Sequence, residues 1–574
     1  MSSRSQRSRR AELSPQDPRT IDVTSSTAQQ PWLPDYQILT LVASLISLAA
    51  FIYFYSRGDL LLYGDAVAHM NIARRVVDSR TPGPLQLGTV WLPLPHLLML
   101  PLIWNTSMWM SGVAGSIPSM MSYIASVVGI FRLVWTGLSL LPERRSEARF
   151  VAWSAALAFA LNPNLLYLQT TAMTELVFLA CYIWATVYFA QFAIELQAGD
   201  ARSAQRALIG CGVLLCLGAL TRYDGWFAAA VYALAALLTI IVASVRSGLE
   251  WWHFLYEGGW RRTTIIFVAL LAFTPAVWLT YNQYTFGDAL SFVRGPYSAR
   301  AIEERTRKPG DWHHPGWESP TVATEYFVKS AELNMAGGDR SQRIWLYAAL
   351  LGSVMSLGFL RPLWPWLLLW APVPFYAISV AWGGVPIFIP TWWPFSYYNV
   401  RYGTQLIPVF VVFGSLLLYL FLTKFSWRRV QYGIAIVAVA FVGWNYYYNL
   451  KFTTPISLKE AQVNGVDRIA IEKELARNIM LLPPNSTILM YLGEHGGALQ
   501  RIGFPLKRTI NEGNYRYWGS ALMNPAALAD YVIATDGDPV SKAIQAHPDR
   551  LESIAVIQSS RQNPIRIYRS TAYR

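Results

Sequence analysis

Carboxylates occur at the ends of apolar stretches, where a general base would meet a membrane-bound substrate. Asp65 and His69 are four residues apart just beyond the first apolar run, so a helix would place both on one face. Glu175 stands in LQTTAMTEL between two apolar runs, and Asp224 stands in TRYDGW at 221–226. A carboxylate at such a depth is costly unless it faces a wet cavity or a partner. The positions therefore predict a carboxylate that acts as a general base. A solvated interfacial helix explains Asp65 and His69 equally well.

Two arginines accompany these carboxylates at the ends of apolar stretches. Arg222 precedes Asp224, and Arg401 is the only charged residue between Arg361 and Lys424. Arg401 stands in YYNVRYGTQLIP with several tyrosines, among them Tyr402, and a planar guanidinium can hold two phosphate oxygens at once. Because no acid is near Arg401 in sequence, we expect a substrate phosphate to be its partner. The alternatives are a local Arg222–Asp224 ion pair in a tight turn and a snorkelling Arg401.

The composition predicts a membrane protein. Of the 574 residues, 53% are hydrophobic and only 14% are charged, and the mean hydropathy is +0.28. Soluble chains carry about 25% charged residues, so an ordinary soluble enzyme is excluded. The net charge of +13 comes mostly from Lys and Arg at the ends of apolar runs, which favours contact with membrane lipids and disfavours nucleic acid. Cys181, Cys211 and Cys216 lie in apolar runs and form no metal motif.

The fold class is predicted to be an all-α polytopic bundle of about eleven transmembrane helices with a small C-terminal extracytoplasmic α/β domain. Segment 91–105 is apolar but contains three prolines, so we expect a re-entrant or surface-lying element there. Basic connectors such as 142–149 place the N-terminus in the cytoplasm and the long loop 283–343 outside. The predicted spans are 36–56, 118–141, 150–168, 176–194, 207–221, 225–245, 263–282, 344–360, 364–381, 403–423 and 430–450.

Three regions follow from this map. Residues 1–35 are polar and read as a disordered cytoplasmic tail, residues 36–450 form the membrane domain, and residues 451–574 have a soluble composition. Hydrophobic periodicity in the last region predicts helices near 463–481 and 539–546, with strands at 486–492 and 530–535 and near 553–558 and 564–568.

Short motifs resemble those of the C-type integral-membrane glycosyltransferases, which take a sugar from a polyprenyl-phosphate carrier. GDAVAHMNIARRV and QLGTVWLPLPHLL are similar to that family's first outer loop, and TAMTE, RYDGW, YNQYTFGD and NVRYG agree with later pieces. The resemblance implies that Asp65 is the catalytic base, that Glu175 is the second loop acid, and that Arg401 or Arg222 holds the carrier phosphate. This chain has WLPLP at 91–95 where many relatives have a lysine-containing segment.

The motifs also supply the remaining candidate site residues. Tyr402 joins Arg401 and Arg222 at the donor phosphate, and the expected substrate-cavity residues are His69, Asp224, Tyr223 and His96. Some members of the family use a divalent cation, for which Asp65, His69 and Glu175 are candidate ligands, but the spacing does not require one. His313 with His314, and Glu494 with His495, are weaker metal or site candidates.

The predicted activity is inverting transfer of a hexosyl or pentosyl group from polyprenyl phosphate to an acceptor hydroxyl. Asp65 is the general base, and the reaction lies on the extracytoplasmic side of the inner (plasma) membrane. The acceptor is a glycan, a lipid or a protein. A transporter or lipid flippase with a polar cavity between its helices is the alternative, and a non-catalytic scaffold is a third interpretation.

Overall fold

The chain is described here by a computed structural model covering residues 33–141, 145–248, 250, 252, 256, 259–296, 298–307, 310–358, 360–559 and 561–572. The predicted tail 1–35 lies outside the described residues except for its last three, which begin the first helix. Part of the basic connector 142–149 is likewise outside them.

A helix lies on every predicted span, which makes the chain a multi-pass helical membrane protein. Four of these helices are Arg145–Ala160, Ala201–Ala219, Asp339–Gly358 and Arg428–Tyr448. The others, seven among the described residues, are long and apolar enough to cross a bilayer: Pro34–Arg57, Val113–Leu138, Glu175–Gln197, Asp224–Arg246, Trp260–Phe286, Arg361–Trp382 and Val400–Lys424.

Glu175–Gln197 is the central helix of the bundle. It packs against Ala201–Ala219 and Val113–Leu138, and its aromatic side chains Phe178 and Phe189 are buried. Its glutamate end faces the turn that follows Ala201–Ala219, so the packing of this helix sets the position of the functional residues.

The proline-rich segment 91–105 forms the short helix Leu94–Ile103. Ten residues of α-helix span about 15 Å, roughly half of the hydrocarbon core, so this helix is too short to cross. Leu94 N donates to Leu220 O, and the helix packs against Gly64–Val77. The segment therefore supports the helix Gly64–Val77, which carries Asp65, and the turn after Ala201–Ala219.

Short helices connect the longer ones. The connecting α-helices are Thr106–Ser111, Pro163–Leu168, Ser291–Arg294, Ala299–Thr306 and Pro320–Met335, the tighter 3-10 segments are Asp59–Leu61, Pro84–Leu87 and Leu506–Arg508, and Asn449–Thr453 is a wider π-helical turn. The spans Arg361–Trp382 and Val400–Lys424 each begin with a 3-10 segment, Arg361–Trp370 and Val400–Leu406, and continue as an α-helix, Pro372–Trp382 and Ile407–Lys424.

The C-terminal region is a small α/β unit that begins with the helix Ile456–Met480. Its sheet has the order β2-β1-β3-β5-β4, in which β1 runs parallel to β2 and β3, whereas β5 is antiparallel to β3 and β4. The bounds are β1 Ile488–Met490, β2 Thr509–Ile510, β3 Tyr531–Thr535, β4 Leu551–Ile557 and β5 Ile565–Ser570, with helices Leu492–His495, Gly497–Arg501, Tyr515–Met523 and Pro539–Ala546 between them. The predicted fold class, a helical membrane bundle with a small C-terminal α/β domain, is confirmed, and the extracytoplasmic location of that domain stays a prediction.

Candidate active site

Arg401 lies at the centre of three carboxylates from distant parts of the chain. Its Nε donates to Glu175 Oε1 at 3.1 Å, its Nη1 donates to Glu460 Oε1 at 2.9 Å, and its Nη2 donates to Asp65 Oδ2. Glu460 Oε2 also accepts the backbone N–H of Arg401 at 3.1 Å. Arg401 therefore has protein partners that are distant in sequence and adjacent in space, and the expected phosphate partner stays a prediction.

The backbone around Arg401 is held tightly. Asn399 adopts a left-handed conformation (φ 56°), and its Nδ2 donates to Pro386 O at 2.9 Å. Asn334 Nδ2 donates to Val400 O at 2.7 Å. Gly403 is required, because a Cβ there would lie 2.3 Å from Ala331 N. These contacts fix the direction of the Arg401 side chain before any substrate arrives.

Glu460 is a charged residue of the site that the sequence analysis missed, as it also missed the neutral residues Thr174, Tyr376, Gln405 and Tyr63. It lies in the first two turns of Ile456–Met480, which begins seven residues before the predicted helix near 463–481, and its side chain is 1% exposed. Ser457, Ala461 and Gly465 recur at intervals of four, and a Cβ at Gly465 would be 2.7 Å from Leu62 O. This row of small residues was the available signal for close packing and hence for a buried neighbour. Burial raises the pKa of the Glu460 carboxyl, which the Arg401 charge opposes.

Arg222 forms a second, more local cluster. Its guanidinium donates to Asp224 Oδ2 at 3.0 Å, to Thr174 Oγ1 at 3.0 Å and to Tyr376 Oη at 3.0 Å. A longer contact of 3.5 Å reaches Glu175 Oε1, so Glu175 bridges the two arginines. The local Arg222–Asp224 pair therefore exists, but it is part of a wider network that Gln405 extends through hydrogen bonds to Asp224 and Tyr376.

Tyr402 lies against both arginines. The guanidinium carbons of Arg222 and Arg401 are 4.9 and 5.1 Å from its ring centroid, and Tyr63 covers Arg401 at 4.9 Å. The predicted grouping of Tyr402 with Arg222 and Arg401 thus corresponds to a cation–π contact in the structure.

Exposure distinguishes the three carboxylates that bind Arg401. The Asp65 side chain is 41% exposed, whereas those of Glu175 and Glu460 are 0% and 1% exposed. Asp65 is therefore the carboxylate of this group that reaches a ligand in the cavity, while Glu175 and Glu460 hold Arg401 from behind.

The two predicted cavity histidines pair with each other. His69 Nδ1 lies 2.9 Å from His96 Nε2, and the His69 ring lies against Trp91 with centroids 4.6 Å apart. His69 lines the cavity, but His96 is fully buried behind it, which corrects the assignment of His96 as a cavity residue. Burial lowers the pKa of His69 to about 3 and lowers that of His96 in the same direction, so both rings are neutral at physiological pH.

A cavity of about 2180 Å³ connects these groups. Tyr223 lines it, with its ring stacked on Phe292, and Asp224 lines it beside Arg222, as predicted. Pockets for single small ligands measure roughly 300–1000 Å³, so this cavity has room for two substrates. Its walls are aromatic near Trp226, Phe375 and Trp382, which suits an apolar chain.

The candidate metal ligands do not gather around one point. Among the described residues, no group of three or more His, Cys, Asp and Glu side chains is arranged to hold a metal ion. Asp65 and Glu175 share the Arg401 guanidinium, and His69 turns to His96. His313 and His314 lie 3.6 and 3.7 Å from Glu303. A divalent cation stays a prediction of the family resemblance.

The weaker candidates at 494 and 495 separate in the structure. Glu494 is exposed and lines the cavity, whereas His495 is buried, which lowers its pKa to about 4.

No known protein-family model matches the chain, and no curated protein matches it in sequence. Among solved structures, the chain is similar to ArnT from Cupriavidus metallidurans bound to undecaprenyl phosphate, with a TM-score of 0.52 and 10% identity over 93% of this chain and 98% of that chain. It is also similar to the apo state of the same protein, with a TM-score of 0.50 and 12% identity over 94% of this chain and 98% of that chain. At such low sequence identity, the structural similarity establishes the fold but not the activity. The chain therefore has the fold of these two ArnT structures, and the membrane fold that its motifs imply is confirmed.

Proposed function

We propose that this protein transfers a sugar from a polyprenyl phosphate to an acceptor hydroxyl, with inversion at the anomeric carbon. The observation that carries the proposal is the Arg401 cluster. An exposed carboxylate, Asp65, is bound to a buried arginine at the wall of a cavity large enough for two substrates. The ArnT structure with bound undecaprenyl phosphate, which has the same fold, supports a lipid phosphate as the ligand.

The donor phosphate displaces Asp65 from Arg401. Three carboxylates surround this single guanidinium, and Asp65 is the most exposed of them and accepts a hydrogen bond only from Nη2. Glu460 makes two hydrogen bonds to Arg401, and Glu175 is shared with Arg222, so both stay in place. A phosphate that binds Arg401 Nη2 would therefore release Asp65 toward the acceptor.

The released carboxylate acts as the general base. Asp65 takes the proton of the acceptor hydroxyl, the hydroxyl oxygen bonds to the anomeric carbon, and the bond from that carbon to the phosphate oxygen breaks. The electron pair of the broken bond stays on the phosphate, whose growing negative charge Arg401 and Arg222 stabilise. Direct displacement by one nucleophile inverts the configuration.

Transfer assays test this function. Protein in nanodiscs is incubated with a panel of undecaprenyl-phosphate-linked hexoses and pentoses and with mixed hydroxyl acceptors. We expect release of undecaprenyl phosphate and a product whose anomeric configuration, read by NMR, is opposite to that of the donor. Retention of configuration contradicts direct displacement. Absence of turnover together with movement of the lipid across proteoliposome bilayers would favour a flippase.

The proposed side of the membrane has its own test. Ser520 in the C-terminal domain and Ser426 in the basic connector are both exposed, and the three native cysteines are buried. A membrane-impermeant thiol reagent added to intact cells should label Ser520→Cys and leave Ser426→Cys unlabelled. Labelling of Ser426→Cys alone would reverse the topology and place Asp65 on the cytoplasmic side.

A further inference from the structure

The far wall of the cavity is built from one edge of the C-terminal sheet. The chain enters the cavity lining directly after β1, at Tyr491 and Glu494, after β2, at Glu512, and after β3, at Asp536. Strand β1 lies between β2 and β3 and is parallel to both, so the carboxyl ends of the three strands lie at the same edge of the sheet. The four residues follow these carboxyl ends. Open α/β sheets bind ligands at this edge.

One helix connects this wall to the Arg401 cluster. Gly64–Val77 presents Asp65, His69, Ile72 and Arg75 to the same cavity at intervals of three and four residues. Ten residues of helix separate Asp65 from Arg75 by about 15 Å. A ligand held at the sheet edge can therefore extend along this helix to the Asp65 carboxylate.

The groups at the sheet edge include buried polar atoms that lack partners. Arg75 Nη1 contacts Glu512 Oε1 at 3.3 Å, and Glu512 Oε2 accepts Leu492 N at 2.9 Å. Arg75 Nε and Gln86 Oε1 are buried and have no hydrogen-bond partner among the described residues, although Arg75 and Gln86 are only 8% and 1% exposed. Buried polar atoms are nearly always satisfied, so the unpartnered Nε of Arg75, a residue that lines the cavity, indicates a missing polar ligand at this wall.

Aromatic rings lie beside these polar groups. Tyr515 and Phe286 both line the cavity, with centroids 5.5 Å apart and planes at 82°, and Tyr515 is 42% exposed. Tyr515 Oη donates to Leu85 O at 3.2 Å, which fixes the ring. A fixed, half-exposed ring next to carboxylates provides an apolar face together with hydrogen-bond acceptors.

We infer that this sheet edge binds the sugar acceptor, and that the acceptor is an uncharged glycan. This inference rests on the proposed transferase function and names its second substrate. Sugar hydroxyls are donors that carboxylates bind strongly, and the apolar faces of sugar rings pack on aromatic rings. Among the described residues of the C-terminal region, those that line the cavity include four carboxylates and one arginine: Glu472, Glu494, Glu512, Asp536 and Arg468. With Arg75 added from the opposite helix, the carboxylates still outnumber the arginines, which disfavours a phosphorylated or otherwise anionic acceptor.

The test is direct binding by the full-length protein in nanodiscs. The probes are arrays of neutral, uronic-acid-containing and phosphorylated oligosaccharides together with hydroxyl-rich peptides, and undecaprenyl phosphate is measured separately. We expect neutral oligosaccharides to bind. Glu494→Gln should weaken their binding roughly tenfold or more through loss of charged hydrogen bonds, and Tyr515→Ala roughly three- to tenfold through loss of the ring. Tyr515→Phe keeps the ring but loses its hydrogen bond to Leu85 O, so it should bind closer to the wild type than Tyr515→Ala does.

Glu552→Gln is the matched control, because Glu552 is an exposed carboxylate on β4 that does not line the cavity. Undecaprenyl phosphate affinity should be unchanged in all four variants. Preferential binding of anionic glycans or of peptides, or neutral-glycan binding that Glu494→Gln and Tyr515→Ala leave unaltered, would overturn the inference. If the wild type fails to bind undecaprenyl phosphate, the proposed function fails instead, whatever the glycan result.

Discussion

The two arginine clusters of the cavity differ in how far their partners are apart in the sequence. Arg222 pairs with Asp224 two residues away, and its other strong contacts are neutral hydroxyls. Arg401 instead draws carboxylates from three distant segments at 65, 175 and 460. Arg401 thus connects the membrane bundle to the helix that leads into the C-terminal domain, whereas Arg222 stabilises a turn between two spans.

This difference assigns distinct tasks to the two residues. Arg401 binds the exposed Asp65, so a ligand at Arg401 changes the environment of the proposed base. Arg222 reaches the same place only through Glu175. We therefore expect substitutions of Arg401 to alter the base, the donor phosphate and the fold together, and substitutions of Arg222 to act on the donor phosphate with a smaller effect on the fold.

The largest effect on stability should come from removing Arg401. Arg401→Ala leaves Glu175 and Glu460 buried without their cation, and breaking a buried pair in this way costs about 3–5 kcal/mol in the free energy of unfolding. Arg222→Ala should cost less, about 1–3 kcal/mol, because Tyr376 and Gln405 still bind Asp224. Denaturation in detergent measures both variants. Equal losses in the free energy of unfolding would mean that the two clusters contribute equally to stability.

Glu460→Gln tests the contribution of the helix Ile456–Met480 to the Arg401 cluster. It removes a charged acceptor of two hydrogen bonds from Arg401 and should cost about 1.5–3 kcal/mol in stability. Glu472→Gln is a matched control, since Glu472 is a buried acid on the same helix that pairs with Arg468. We expect altered undecaprenyl phosphate affinity in Glu460→Gln alone. The same shift in Glu472→Gln would point to a general disturbance of the helix.

The stability should also depend on pH through His69. Its folded pKa of about 3 lies below the usual value of 6.5, so the neutral ring stabilises the fold above pH 6.5 and this stabilisation is lost as the pH falls below it. Between pH 6.5 and pH 5 the loss is about 2 kcal/mol. His69→Gln should flatten the decline in melting temperature over this interval. An unchanged decline would assign it to other groups.

The smallest effect should come from the ring between the two arginines. Tyr402→Leu removes the cation–π contacts and should weaken undecaprenyl phosphate binding by about 1 kcal/mol. Tyr402→Phe retains the ring and should match the wild type. A defect in Tyr402→Phe would show that the hydroxyl, rather than the ring, contributes to binding.

The sequence was sufficient to predict most helices and strands, but it was insufficient to predict which of them contact one another. Apolar runs predicted a helix at every span, and alternating patterns located β1, β3, β4 and β5, because both signals are local. Strand β2, Thr509–Ile510, has two residues and too little pattern to detect.

The site divides along the same line. A charge or a clustered tyrosine is conspicuous in apolar sequence, and the residues predicted in this way lie at one cavity, with roles that stay predictions: Asp65, Glu175, Arg222, Asp224, Tyr402 and Arg401. Glu460 stands in a polar helix where acids are common, so only the fold distinguishes it. His96 was misplaced because its sequence neighbours do not reveal that His69 lies between it and the cavity.

The affinity of Asp65→Asn for undecaprenyl phosphate tests the central claim most directly. If the lipid phosphate takes the place of Asp65 on Arg401, removal of the competing charge should leave this affinity equal to or higher than that of the wild type, while transfer falls roughly 10²–10⁴-fold. An affinity at least tenfold weaker than that of the wild type, or transfer at the wild-type rate, would contradict the account.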